Sequence, residues 1–241
     1  MTEPASTHVT LHLARFDEPV TLLSVDSGPA TGNPLAWMIG ADDIVAGTPR
    51  GSNTSTVWVA LGLHADERSA RALFDAGVDA VPCLARADET WAAVLEPIGH
   101  RGEVNWLDTD RPGQAFTPEA RRPDGPFVVI TSVGWTFDDR FDPAKANDFA
   151  YGVERVRATL DSVDGLYSQQ SFAMQRTLAD PITITFWRDD AAMRAFAYRP
   201  GEHKFQLDRY RELETADRSS FTRLVALEQR GTWHGGDPLA P

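Results

Sequence analysis

The 241-residue sequence contains a single cysteine, Cys83, and relatively few basic residues. One cysteine excludes an intramolecular disulfide and a cluster of thiolate metal ligands, and it favours a reducing compartment. Lysine and arginine together number 23 against 35 acidic residues, which gives a net charge of −12. Because nucleic acids and anionic membranes bind clustered basic residues, we expect neither to be a partner.

Long hydrophobic runs and the common catalytic motifs are also missing. No stretch of about 18 apolar residues occurs, and residues 1–9 show no basic segment followed by an apolar run. We therefore expect no membrane span, no signal peptide and a soluble cytoplasmic protein. The absence of a Walker loop, a Gly-x-Gly-x-x-Gly turn, a Gly-x-Ser-x-Gly elbow and a His-Glu-x-x-His helix argues against P-loop kinases, Rossmann dehydrogenases, α/β-hydrolases and zincins.

What is present is an internal repeat. Residues 57–63 alternate like a half-buried strand and lead into a helical stretch, and residues 182–187 do the same. The two helical stretches end near Gly77 and Gly201, 124 residues apart. This similarity indicates that one unit occurs twice along the chain.

A second pair of matching segments supports the repeat. His-Arg-Gly closes one predicted strand at Gly102, and Gln-Arg-Gly closes another at Gly231, an offset of 129 residues. Each is followed shortly by a tryptophan, Trp106 or Trp233. We therefore predict a first repeat over residues 1–107 and a second over 126–241, joined by a proline-rich surface linker over 108–125.

The second repeat indicates the fold. Its pattern predicts strand, helix, strand, strand, helix and strand, with an apolar helix face at Phe149, Val153, Val156 and Leu160. In the first repeat, residues 8–16 are a predicted strand and residues around 34–39 a short helix, and the second strand is unclear. The prediction is an α+β protein in which a tandem duplication of a ferredoxin-like βαββαβ unit forms a pseudo-dimer resembling a dimeric α+β barrel.

Five of the six histidines are predicted at the surface. His8 and His12 lie four residues apart in the first strand, which places both on one face, predicted to be a solvent-facing edge. The other three occupy turns or strand ends: His64, His100 and His234.

His203 differs because it shares a predicted helix face with Leu207 and Tyr210. A lone inward histidine cannot complete a zinc site, which needs about four ligands, but it can be the axial ligand of a haem. Trp187, Phe196 and Leu207 would then line an apolar porphyrin pocket, and Arg199 would bind a propionate. The pattern equally allows an ordinary half-buried histidine among core aromatics.

Residues 184–203 and 230–240 resemble the spheroidene monooxygenase family of carotenoid ketolases, and Val57-Trp58-Val59-Ala60 is similar to the corresponding first half. The resemblance implies a haem b oxygenase that uses dioxygen and electrons from a donor such as ferredoxin. It also implies that His203, in the family's Gly-x-His motif, is the proximal haem ligand.

Two loops, residues 46–53 and 168–171, are more polar than in that family, so a smaller polar metabolite is as good a substrate candidate as a carotenoid. The leading hypothesis is a haem-dependent monooxygenase acting on a small or medium organic molecule. Two alternatives are a haem-dependent dehydratase acting on an N–O bond and a haem-free binding or structural protein. The sequence assigns no catalytic residue and no oligomeric state.

Overall fold

The computed structural model describes residues 7–21, 35–40, 54–102, 116, 118–136, 139, 141–174 and 181–240. In chain order the elements are β1 (His8–Thr21), β2 (Leu35–Gly40), β3 (Thr54–His64), α1 (Glu67–Ala76), β4 (Glu89–Gly102), β5 (Phe127–Gly134), α2 (Pro143–Leu160), β6 (Leu166–Met174), β7 (Ile182–Trp187), α3 (Asp190–Tyr198), α4 (Glu202–Leu213) and β8 (Arg218–Gly231). Two 3₁₀ turns, Gly77–Asp79 and Pro82–Arg86, precede β4. Among the described helices, none combines the length and the hydrophobicity that a membrane crossing requires.

The strands form a closed antiparallel barrel in the order β1-β3-β2-β6-β7-β5-β8-β4. Each strand is hydrogen-bonded to a neighbour on both sides. Alternate side chains of a strand point to opposite faces, so one set fills the barrel and the other meets the helices. The protein is therefore a mixed α+β structure with helices outside a barrel-shaped sheet.

The two halves of the chain contribute strands in the same spatial order. The first half gives β4-β1-β3-β2 and the second β8-β5-β7-β6. Where the halves meet, the pairing is symmetric: Trp91 of β4 pairs with Gly231, and Gly102 pairs with Ser220 of β8. The β2–β6 contact follows the same rule, because Met38 pairs with Met174 and Gly40 with Phe172.

The largest hydrophobic cluster lies inside the barrel and contains residues from both halves, such as Leu11, Trp91, Ile130 and Phe186. The Trp91 and Phe186 rings meet edge to face at 5.3 Å between centroids. Smaller clusters lie on the outer face, one beneath α1 and one beneath α3. Because the interior core is shared, the two halves are one folding unit around the barrel.

Local sequence signals explain where α1 and α3 begin. Asp66 and Asp189 are N-caps, and each carboxylate accepts a backbone N–H three residues on, at 2.8 Å from Ser69 and 2.7 Å from Ala192. Both helices follow the third strand of their half, as the sequence predicts.

The predicted short helix and the predicted surface linker differ from the structure. Residues 35–40 form strand β2 and not a helix, because they pair with β3 and β6, and a six-residue apolar run has too few positions to reveal its period. In the predicted linker over 108–125, Phe116 is 1% exposed and packs into the interior core. This segment is therefore not wholly a surface linker. The polar loop over 46–53 lies outside the described residues.

The predicted surface positions of His12 and His64 are wrong. Both side chains are 1% exposed, because β1 is paired on both sides and α1 lies over its outer face. His64 Nε2 is 2.9 Å from the hydroxyl of Thr10, whereas neither ring nitrogen of His12 has a hydrogen-bond partner among the residues that the structure describes. Burial, together with the positive charge of Arg230 and the neighbouring His64, lowers the pKa of His12 to about 4.

We expect His12→Leu to stabilise the protein, and more so in acid. The substitution removes two unsatisfied buried nitrogens, worth roughly 1–3 kcal/mol at neutral pH. In the wild type the folded pKa of about 4 lies below the ordinary value of 6.5, so the unfolded chain binds the proton more tightly. The contribution of His12 to stability is therefore complete above pH 6.5, and its titration alone lowers the stability by roughly 3 kcal/mol as the pH drops to 4. His64, whose pKa burial also lowers to about 4, adds a loss over the same range that remains in the variant.

Urea unfolding at several pH values measures this effect. His12→Leu should flatten the loss of stability between pH 6.5 and 4, whereas His8→Leu, at the end of the same strand beside Thr7, is the matched control. An unchanged pH profile in His12→Leu would contradict the role of this histidine.

Candidate functional site

A cavity of about 1170 Å³ lies between the helices of the second half and the outer face of its sheet. Ligand pockets for drug-sized molecules are typically about 300–1,000 Å³, so this space accepts a larger ligand. Alternate residues of the strands form its floor, namely Val129, Thr131 and Val133 of β5, Thr183, Thr185 and Trp187 of β7, and Ser219 and Phe221 of β8.

The three threonines of the floor form hydrogen bonds with their neighbours. Thr185 Oγ1 accepts the Trp187 indole N–H at 2.8 Å, and Thr183 Oγ1 is 3.2 Å from the hydroxyl of Ser171. The Thr131 hydroxyl donates to the Thr183 carbonyl at 3.5 Å. Between these hydroxyls the floor is apolar, which suits a largely hydrophobic ligand.

The helices α2 and α4 form the side of the cavity opposite the floor, here called the roof, and they pack loosely against the sheet. Only Gly152 and Leu160 of α2 are buried, and α4 has no buried residue. The apolar face predicted for α2 lines the cavity, at Phe149, Val153, Val156 and Leu160. These side chains lie over the cavity where a core helix would contact the sheet, so a bound ligand would supply their missing contacts.

Polar contacts join the two roof helices. The Arg209 guanidinium donates to both carboxylate oxygens of Asp148 at 2.9 Å, and Arg155 donates to Glu202 at 3.2 Å. The hydrogen bonds from Arg209 hold the pKa of Asp148 below its usual range. Because Gly152 has no side chain, Gln206 can approach the α2 backbone closely between these two ion pairs.

His203 lies in the first turn of α4 and lines the cavity. Its Nδ1 is 3.3 Å from the carbonyl oxygen of Ala197. A carbonyl only accepts hydrogen bonds, so Nδ1 carries the proton and Nε2 keeps its lone pair. Burial lowers the pKa of His203, which favours this neutral form.

Three other residues predicted for the pocket also line the cavity, and one does not. Trp187 and Leu207 belong to its floor and roof. Phe196 of α3 contacts both the Trp187 ring, at 5.5 Å between centroids, and the His203 ring, at 4.5 Å. Arg199 is an exposed C-cap of α3 and is not among the lining residues.

No model of a known protein family matches the chain. No curated protein sequence is similar to it either. The resemblance to spheroidene monooxygenases thus remains an inference from the sequence.

Solved structures do match. An aldoxime dehydratase is 11% identical in sequence and has a TM-score of 0.61. The match covers 98% of this chain and 88% of the dehydratase chain. The chain shares the fold of that protein. A second aldoxime dehydratase, in complex with butyraldoxime, is 9% identical, with coverages of 98% and 86% and a TM-score of 0.59. A protein of Lactobacillus acidophilus to which monooxygenase activity is attributed is 12% identical, with coverages of 92% and 95%, but its TM-score of 0.40 supports no inference.

The haem implied by the sequence resemblance can be tested against the cavity. An axial haem ligand must be a neutral imidazole with a free lone pair, and the bond from Nδ1 to Ala197 provides this form at Nε2 of His203. The aromatic and aliphatic lining suits a porphyrin. Within the described residues no group of three or more histidine, cysteine or acidic side chains could hold a metal ion. The residues present therefore fit a porphyrin better than a bare metal ion.

Several cavity residues were not predicted from the sequence. Two floor threonines occupy alternate positions of Ile-Thr-Ile-Thr-Phe-Trp. Their small hydroxyl side chains on the helix-facing side of a strand could have indicated a cavity there. Trp135, whose indole donates to the Thr215 carbonyl at 2.6 Å, had no such signal. Its position depends on the packing of β5 against the end of α4.

Proposed function

We propose that this protein is a haem-dependent monooxygenase that acts on a small or medium-sized, mainly apolar organic molecule. The observation that carries the proposal is the neutral His203 imidazole, held by Ala197 with Nε2 unprotonated, in a large apolar cavity. Haem bound there would supply iron for the activation of dioxygen, with electrons from a separate donor such as ferredoxin. Trp187, Phe196 and Leu207 would hold the porphyrin by apolar contact.

A dehydratase acting on an N–O bond is the second candidate, and the similarity to aldoxime dehydratase over almost the whole chain favours it. Such a reaction removes water from an aldoxime to give a nitrile and consumes no external electrons. It needs a group that protonates the departing hydroxyl. The lining offers hydroxyls and phenols for this role, and its two carboxylates, Asp148 and Glu154, are held in ion pairs with Arg209 and Arg157. We therefore place oxygenation first.

The test has two steps. The purified protein, or the protein reconstituted with haem, should show a Soret band. With a reductant, ferredoxin and ferredoxin reductase, it should then incorporate ¹⁸O from labelled dioxygen into spheroidene or a smaller apolar compound. Conversion of butyraldoxime to butyronitrile without dioxygen or reductant would establish the dehydratase instead. If haem does not bind after reconstitution, both candidates are excluded and the haem-free binding protein remains.

We also infer that the chain arose by tandem duplication, with repeats over 1–107 and 126–241. The shared strand order and the symmetric pairing of β4 with β8 and of β2 with β6 support this inference. The strands within residues 8–102 should superpose on those within 127–231. A poor fit of the two sets of strands would contradict the duplication.

A further inference from the structure

The first half of the chain contributes a cation to the cavity of the second half. Arg101, near the end of β4, lines the cavity together with Gly102. Its guanidinium carbon is 5.1 Å from the centroid of the Phe221 ring, which is part of the floor. Stacking on an aromatic ring restrains a flexible arginine side chain, so the charge is held over the cavity rim.

The strand register shows how Arg101 reaches this position. Arg101 pairs with Phe221, Phe221 pairs with Thr131, and Thr131 pairs with Thr183, so these residues form one row across four neighbouring strands. Trp187, which contacts Phe196 beside His203, lies four residues further along β7 than Thr183. At about 3.3 Å per residue this separation is roughly 13 Å along the sheet. The imidazole and the guanidinium are therefore near different ends of the same cavity.

The other arginines of the cavity lining either form ion pairs or have no aromatic ring that holds their side chain in place. Of the four arginines in the lining, Arg157 and Arg209 form ion pairs with Glu154 and Asp148. In the described part of the chain, no acidic residue forms an ion pair with Arg101. The same is true of Arg211, but that side chain is exposed at the end of α4 and no aromatic ring holds it. Arg101 is thus the cation that is both unpaired and positioned.

The corresponding residue of the other half is used differently. Arg230 precedes Gly231 as Arg101 precedes Gly102, and its guanidinium also lies over a phenylalanine, Phe74, at 4.2 Å. However, Arg230 donates a hydrogen bond to the Phe74 carbonyl, so its guanidinium is bound to the end of α1. At equivalent strand positions, Arg230 therefore has a structural role, whereas Arg101 faces the cavity and can contact a ligand.

We propose that Arg101 binds the carboxylate of the ligand in the cavity, either a porphyrin propionate or a carboxylate of the substrate. In a protein with a net charge of −12, an anionic group needs a local cation to be held near the surface. Arginine presents a planar pair of donors that matches a carboxylate. This inference rests on the proposed haem site and assigns to Arg101 the propionate role that the sequence suggested for Arg199.

The experiment compares Arg101→Gln with the wild type and with Arg122→Gln, a surface variant outside the cavity. Each protein is titrated with haem and with haem dimethyl ester, in which both propionates are neutral, and binding is followed by the Soret band and by tryptophan quenching. If the carboxylate belongs to the porphyrin, Arg101→Gln should raise the Kd for haem about tenfold and leave the Kd for the ester unchanged.

A second arm addresses the substrate. Dodecanoate and methyl dodecanoate are titrated into each protein as purified, with cavity tryptophan fluorescence as the signal, so this arm does not require haem. Loss of affinity for dodecanoate alone in Arg101→Gln supports a substrate carboxylate. The proposal is overturned if Arg101→Gln binds all four ligands as the wild type does. Failure of the wild type to bind haem would exclude the proposed function, and the dodecanoate arm would still decide the role of Arg101.

Discussion

We expect His203→Ala to lose haem while the fold is retained. The imidazole is the strongest iron ligand in the cavity lining, where Tyr198, Tyr210 and Met193 are the weaker candidates, and the only cysteine, Cys83, is buried in the other half beneath α1. Without the imidazole, the porphyrin would be held only by apolar contacts and by Arg101 at the cavity rim. His203 is only partly buried and the hydrogen bond from its ring to Ala197 is long at 3.3 Å, so the apoprotein should lose little stability, within about 0.5–3 kcal/mol.

The measurement is the Soret absorbance per protein, with circular dichroism to monitor the fold. His100→Ala is the matched control, since His100 is also half-buried and hydrogen-bonded, to Thr222 and Gly102, but lies outside the cavity lining. It should keep full haem. Full haem with an unchanged ligation spectrum in His203→Ala would show that another residue is the ligand.

A rescue experiment separates ligation from packing. In His203→Gly, added imidazole should restore the ligation spectrum, because the free ring can occupy the vacated space beside Phe196 and offer the same nitrogen. If imidazole changes nothing although the variant is folded, His203 stabilises the pocket without binding iron.

A large loss of stability is expected for Gly231→Ala, at the end of β8. Gly231 has φ +88°, and an added Cβ would overlap the backbone carbonyl oxygen of Thr90. That oxygen also accepts the N–H of Thr232 at 2.9 Å, so β4 cannot move away without losing a hydrogen bond. Positive φ costs an alanine about 1–2 kcal/mol, and displacement of paired backbone raises the total to about 4 kcal/mol.

Gly235→Ala is the matched control for this prediction. Gly235 has φ +79°, but nothing lies within 4 Å of its added Cβ, so only the conformational cost remains. Denaturant unfolding followed by circular dichroism should therefore show a clearly smaller loss for Gly235→Ala. Equal losses in the two variants would mean that the contact with Thr90 is relieved at little cost.

Gly231 and Gly102 illustrate how much of the fold the sequence predicts. Both close an Arg-Gly motif, and the repetition of that motif along the chain indicates two similar halves. The equivalent contact occurs at Gly102, with φ +83°, where an added Cβ would overlap the Ser219 carbonyl oxygen. These glycines are needed because, at positive φ, a Cβ would point into the backbone of the paired strand, and the spacing of the motif could not show that β4 and β8 are paired there.

The candidate site was predicted in part for a similar reason. Helical periodicity placed His203 and Leu207 on one face, and the structure puts both in the cavity lining. Arg199 was predicted from its nearness in sequence, but it caps α3 outside the lining. Arg101 is about 100 residues from His203 along the chain, so only the register of β4 against β8 brings it to the same cavity.

By itself, the sequence determined the periodic elements: most strands, the apolar face of α2, the helical stretches that follow the third strand of each half, and the internal repeat. These depend on local backbone preferences and on side chains a few residues apart. Only the tertiary structure decided that residues 35–40 are a strand, that His12 is buried with no hydrogen bond to any described residue, and that the roof helices leave a cavity above β5 and β7. Those outcomes depend on which distant segments pair and on the volume left between them, and neither quantity is encoded in any short stretch of residues.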